Sequence, residues 1–152
     1  MKTLVVIVGP TASGKTESAI TLAKALNTEI LSCDSRQFYK ELNIGVARPT
    51  PEELSAVPHH FIANRSVTHP YNAYQYEHEA LDLLKSLFTK NDTMIAVGGS
   101  GLYIDALCTG INYLPCFTVF TGTELVRFER RPSGTYFRET CSRRKEVEVI
   151  IR

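Results

Sequence analysis

Near the start of the chain, Gly9-Pro10-Thr11-Ala12-Ser13-Gly14-Lys15-Thr16 matches the phosphate-loop pattern G-x-x-x-x-G-K-[ST] at every position. The glycines let the backbone wind tightly enough to turn several N–H groups on one point. A helix starting there adds its positive end. Lys15 supplies a mobile charge for an outer phosphate, and the Thr16 hydroxyl is a candidate Mg²⁺ ligand. Such a loop holds a diphosphate or triphosphate but does not name a reaction. A second group, Asp34-Ser35-Arg36-Gln37, offers a carboxylate that can assist Mg²⁺ through water or accept a proton from a nucleophile. Arg36 is a fork-shaped donor and Gln37 a two-way amide, the type that reads an adenine edge. The plainer reading is that Asp34 caps a turn and Arg36 is solvated. Gly98-Gly99-Ser100-Gly101-Leu102-Tyr103 is a third, weaker group, since glycine-rich turns between strand and helix are common. His59-His60 lacks metal-ligand spacing and reads as a polar strand edge.

These groups need elements to hold them. Thr3–Val8 is a continuous apolar run, suited to a strand buried on both faces of a parallel sheet. Ala19, Leu22, Ala23 and Leu26 fall at helical spacing, so Lys15–Leu26 reads as a helix. Residues 29–33 form a second strand ending at Asp34, which completes a βαβ unit. Thr50, Pro51 and Glu53 open a short helix with a capping box, which Pro58 ends; residues 60–62 follow as a third strand. Asn72 and Gln75 cap a helix that keeps its period to about Lys90. A strand over 93–97 and a helix over 102–108, with Gly110 just beyond it, complete the core. The class is α/β, a P-loop NTPase-like parallel sheet flanked by helices.

Composition changes after Pro115. Residues 1–115 contain nine basic and eleven acidic residues, eleven Ala and thirteen Leu. Residues 116–152 contain eight basic and five acidic residues, no Ala and one Leu. The division is a catalytic core fragment at 1–115 and an atypical tail at 116–152, with strands at 117–120 and 147–151. Three readings of this change stay open: chance in a short window, a basic tail for nucleic acid, and a reading frame shifted after about residue 115. The net charge of +1 neither demands nor excludes nucleic acid. No apolar run reaches the ~18 residues of a membrane span, and no signal peptide is evident, so a cytoplasmic location and no membrane partner are expected. Cys33, Cys108, Cys116 and Cys141 lack C-x-x-C or zinc spacing and are expected as free thiols.

Taken together, the motifs resemble the tRNA dimethylallyltransferases, also called tRNA isopentenyltransferases. The phosphate loop is similar to the family's first pattern. Asp34-Ser35-Arg36-Gln37-Phe38-Tyr39 with Ile44-Gly45-Val46-Ala47-Arg48-Pro49-Thr50 is similar to its second, although lysine is more usual at 48 and threonine at 46. Pro58-His59-His60-Phe61 and Gly98-Gly99-Ser100-Gly101-Leu102-Tyr103 are similar to the third and fourth. The resemblance covers residues 1 to about 115. It implies that N6 of an adenosine beside the tRNA anticodon attacks dimethylallyl diphosphate, with diphosphate leaving from the loop 9–16. By the same resemblance Asp34 is the base. Lys15, Thr16 and Mg²⁺ then stabilise the leaving group, and Asp34, Ser35, Arg36, Gln37 and Ser100 meet the tRNA. A monomer is expected.

Relatives of this type run to roughly twice the length, so the fragment is expected to be inactive by itself. Two other readings stay open: a small-molecule P-loop kinase using ATP, and a non-catalytic remnant that binds diphosphate or nucleotide.

Overall fold

The computed structural model describes residues 2–109 and the backbone of 116–120, 125–130 and 136–141. Strand β1 (Thr3–Val8) is buried along almost its whole length, as its apolar run requires. Its alternate residues serve two cores. Val5 and Ile7 pack with Ala19, Ile20 and Ala23 of α1 (Lys15–Leu26). Leu4 and Val6 belong to the opposite core, with Tyr76, Ala80, Leu84 and Leu87 of α3 (Ala73–Leu87) and Leu107 of α4 (Gly101–Thr109). One helix therefore covers one face of the sheet and two helices cover the other, the layering of an α/β fold.

The remaining elements are β2 (Ile30–Ser32), α2 (Pro51–Ala56), β3 (His59–His60), β4 (Thr93–Gly98), β5 (Cys116–Phe120), β6 (Leu125–Arg130) and β7 (Tyr136–Cys141). The sheet order is β3-β2-β4-β1-β5-β6-β7. Strands β3, β2, β4, β1 and β5 run parallel. Strands β5, β6 and β7 form an antiparallel meander. Because β4 lies between β1 and β2, the segments that leave β1, β2 and β4 emerge side by side at one end. These are residues 9–16, 34–37 and 98–101, the three groups singled out by their chemistry.

Both predicted capping boxes form: Thr50 with Glu53 on α2, and Asn72 with Gln75 on α3. The expected strand at 60–62 stops at His60, because Phe61 and Ala63 take left-handed backbone at φ 63° and 48°. That turn delivers the Phe61 ring to Tyr76, 5.0 Å between centroids, within a cluster that includes Phe38, Tyr71 and Tyr103. Ring packing overrides the strand pattern there. Helix α3 ends at Leu87 rather than near Lys90, whose N–H bonds the Leu87 carbonyl in a closing turn.

Among the described residues, Cys33 and Cys108 are buried and outside any disulfide. The Cys116 and Cys141 side chains, Gly110 and the strand expected at 147–151 lie outside the described residues. In the tail, β5 pairs with β1 from Leu4 opposite Phe117 to Ile7 opposite Phe120, so the 117–120 strand continues the sheet. Among the described residues, no helix is long and apolar enough to cross a membrane.

Candidate functional site

The phosphate loop rises from the end of β1 and feeds α1. Its last turn residue, Gly14, sits at φ 77°, a conformation that disfavours a side chain, and it is the N-cap of α1. With no side chain there to cap them, the first N–H groups of the helix keep their capacity for a ligand. Ala12 is also left-handed, at φ 63°, which curls the loop further. A Cβ on Gly9 would meet the Ser13 hydroxyl at 2.9 Å, so the loop closes on its own first residue. The Lys15 ammonium folds back onto the Pro10 carbonyl. This cradle of N–H donors, one cation and the Thr16 hydroxyl fits a diphosphate with an accompanying Mg²⁺.

Asp34 follows β2 in a tight turn. Its Oδ1 accepts from the Arg36 N–H at 2.9 Å, and its carbonyl accepts from the Gln37 N–H at 3.1 Å. Among the described residues Oδ2 accepts no hydrogen bond, so the carboxylate keeps an oxygen for a proton or a metal-bound water. The turn rests on buried supports. Tyr76 donates its hydroxyl to the Ser32 carbonyl at 3.0 Å, which leaves the Cys33 thiol to donate to the phenol oxygen at 3.0 Å. Burial pushes the Cys33 thiol up to about 12, so it stays protonated in that role.

Gly98 is the spacer between the loop and the Asp34 turn. A Cβ there would lie 2.5 Å from the Cys33 carbonyl oxygen, so the close approach of β4 to the end of β2 requires glycine. The two groups then face one cleft of about 310 Å³. Residues 11–16, Asp34, Gln37, Gly98 and Gly99 line it, together with Ala47, Arg48, Pro49, Glu53, His59 and Ile62 on the far wall.

Of the site residues expected from sequence, Thr11, Ala12, Ser13, Gly14, Lys15, Thr16, Asp34 and Gln37 meet on this wall. Gly9 and Pro10 form the root of the loop. Arg36 is exposed, and with Ser35 and Ser100 it stands outside the cleft lining. Ser100 bonds Ser35: its Oγ accepts from the Ser35 N–H at 2.9 Å and donates to the Ser35 Oγ at 3.1 Å. The Gln37 side chain braces the site from inside. Its Oε1 accepts from Ser32 at 2.9 Å and its Nε2 donates to the Ala47 carbonyl at 2.7 Å.

Sequence reasoning missed the far wall. The Arg48 guanidinium donates to Asn43 at 3.0 Å and to the Tyr39 carbonyl, closing the loop between them. His59, read as a plain strand edge, donates Nδ1–H to the Val57 carbonyl at 2.7 Å, so its Nε2 is an acceptor, buried and without a partner among the described residues. Burial holds its pKa below the usual value. Its neighbour His60 meets Glu29 at 2.6 Å. The signals for this wall were the second motif, which holds Ala47, Arg48 and Pro49, and the third, Pro58-His59-His60-Phe61. Among the described residues, no cluster of three or more His, Cys, Asp or Glu side chains could hold a metal ion.

Comparisons with known proteins identify the family. The family model described as IPP transferase matches residues 37–142. The chain belongs to the IPP transferase family. A tRNA dimethylallyltransferase 1 from Bacteroides thetaiotaomicron is 45% identical over 130 residues, which is 86% of this chain and 42% of the relative. A tRNA dimethylallyltransferase from Flavobacterium johnsoniae is 52% identical over 115 residues, 76% of this chain and 37% of the relative. The tRNA isopentenylpyrophosphate transferase structure from Bacillus halodurans superposes with a TM-score of 0.69 at 38% identity, covering 74% of this chain and 37% of that one. A eukaryotic dimethylallyltransferase structure described as acting on tRNA gives 0.66 at 29% identity, covering 70% and 27%. The P-loop NTPase-like fold expected from sequence is thus the fold of this chain. The chain spans about two-fifths of the length of the curated relatives it matches.

Proposed function

We propose that this chain carries the diphosphate-binding loop and the proton acceptor of a tRNA dimethylallyl transfer. The observation that carries the reading is the single cleft lined by both residues 11–16 and Asp34. Dimethylallyl diphosphate lies with its phosphates on the loop N–H groups and Lys15. The N6 of an adenosine beside the anticodon forms a bond to the allylic carbon. The carbon–oxygen bond breaks, and diphosphate leaves with the electron pair. The N6 proton passes to Asp34, because an exocyclic amine is a poor nucleophile until that proton is removed. The adenosine must leave its stack to reach the cleft. Asp34, Ser35, Arg36 and Gln37, with Ser100 behind them, form the side that meets it. Bound Mg²⁺, held through Thr16, would offset charge growing on the diphosphate. The site favours a tRNA-modifying role.

The test is a graft. Residues 1–115 replace the matching part of the Flavobacterium johnsoniae relative. Labelled dimethylallyl diphosphate or γ-labelled ATP is then supplied with an anticodon stem-loop RNA. The allyl label should reach the RNA with the graft and stay near background with residues 1–152 alone. Movement of the ATP label to an acceptor would favour the kinase reading. Diphosphate binding with no transfer by the graft would favour the remnant.

A further inference from the structure

Two of the segments around the cleft are joined by one side chain. Ser100 stands immediately before α4, and its backbone carbonyl accepts from Tyr103 and Ile104 at 3.0 and 3.1 Å, as the residue capping a helix does. A hydroxyl in that place ordinarily serves the N–H groups of its own helix. Here it reaches across the sheet end to the Ser35 N–H at 2.9 Å and the Ser35 hydroxyl at 3.1 Å. Ser35 is the residue after the candidate base, inside the turn whose N–H at Arg36 fixes Asp34 Oδ1. On the other side, a Cβ on Gly99 would stand 3.4 Å from the Gly9 carbonyl oxygen at the root of the phosphate loop. Gly9, Gly99, Ser100, Ser35 and Asp34 therefore form a continuous line from loop to carboxylate.

We infer that Ser100 is a positioning residue: its hydroxyl fixes the Asp34 turn and ties it to the phosphate loop. The inference rests on the proposed function for its consequence but not for its geometry. Through Ser35, Ser100 holds the backbone that aims the carboxylate. Threonine supplies the same hydroxyl; alanine does not.

The experiment uses the 152-residue chain and its Ser100→Ala and Ser100→Thr variants, with inorganic diphosphate and Mg²⁺ as probe. Amide exchange and chemical shifts are read by NMR. In Ser100→Ala the Ser35 N–H should exchange about 10-fold faster or more, while β2 amides keep their protection; Ser100→Thr should match the unaltered chain. Adding diphosphate should move the resonances of 11–16 together with Ser35 and Arg36. In Ser100→Ala only the loop should respond, at an affinity within about 3-fold. Unchanged Ser35 exchange in Ser100→Ala, or a Ser100→Thr variant that behaves like Ser100→Ala, would overturn the inference. So would an undiminished Ser35 response to diphosphate in Ser100→Ala. If the unaltered chain shows no diphosphate response, the proposed function fails, and the Ser35 exchange comparison still decides the role of Ser100.

Discussion

Ser32 donates its hydroxyl to Gln37 Oε1 at 2.9 Å, which turns the opposite end of that amide onto the Ala47 carbonyl at 2.7 Å. One side chain thus joins the end of β2 to the far wall of the cleft. Replacing Gln37 with leucine removes both bonds and leaves the buried Ser32 hydroxyl without its acceptor. The expected cost is about 1–3 kcal/mol in urea unfolding. Loosening of the 47–49 wall should weaken dimethylallyl diphosphate more than inorganic diphosphate, which touches the loop alone. Equal losses for the two ligands would show that the wall holds no part of the donor.

Asp34→Asn separates binding from proton transfer. Asparagine keeps an Oδ1 for the Arg36 N–H, so the turn survives. Transfer by the grafted enzyme should fall about 10²–10⁴-fold, the range for loss of a general base. Diphosphate affinity should stay unchanged. A variant with normal transfer would remove Asp34 from the chemistry.

Lys15→Ala deletes the one cation that the loop itself carries. A hydrogen bond to a charged group contributes about 1.5–3 kcal/mol, so diphosphate affinity measured by calorimetry should drop about 10- to 100-fold. The helix should form as before, because among the described residues the Lys15 ammonium bonds the Pro10 carbonyl alone.

These expectations were legible from sequence to different degrees. The loop 9–16 was plain because it depends on local chemistry at the end of a strand with an obvious apolar pattern, whereas Asp34 by residue type read equally as a turn cap and owed its role as base to the resemblance. The far wall was less plain, because Ala47 and Pro49 in the second motif and Ile62 have ordinary side chains, Ala47 is held by the Gln37 amide ten residues away, and Ile62 follows β3, which pairs with β2 across a long stretch of chain. The supports at Ser32, Cys33 and Tyr76 were hidden for the same reason: Tyr76 reads as one more apolar position of α3, and its hydroxyl contact lies 44 residues away. The strand at 60–62 was misread because the left-handed turn at Phe61 is dictated by ring packing rather than by its neighbours in sequence.

His59 makes the fold sensitive to acid. Its pKa in the folded chain lies below the ordinary 6.5, because burial disfavours the charged ring. The unfolded chain therefore binds more protons as pH falls through about 6.5, and stability is lost on the acid side. Urea midpoints should decline between pH 7.5 and 5.5, and His59→Gln should flatten that decline. An unaltered slope in the variant would place the acid sensitivity elsewhere.

The boundary at residue 115 is also measurable. We propose 1–115 as the unit that carries the site, with 116–152 separable from it. Strand β5 pairs along β1, so the comparison of 1–115 with 1–152 in urea reads what that pairing contributes. A difference below about 1 kcal/mol supports the boundary; about 3 kcal/mol or more would make the tail part of the folded unit.

The central claim is that one cleft presents an allylic diphosphate to Asp34. The most direct measurement is a titration of the chain with dimethylallyl diphosphate and, separately, ATP, both with Mg²⁺, following backbone amides by NMR. The account predicts tighter binding of dimethylallyl diphosphate, with coupled shifts at residues 11–16 and at the Asp34 turn. Tighter binding of ATP, or loop shifts with an unmoved Asp34 turn, would contradict it.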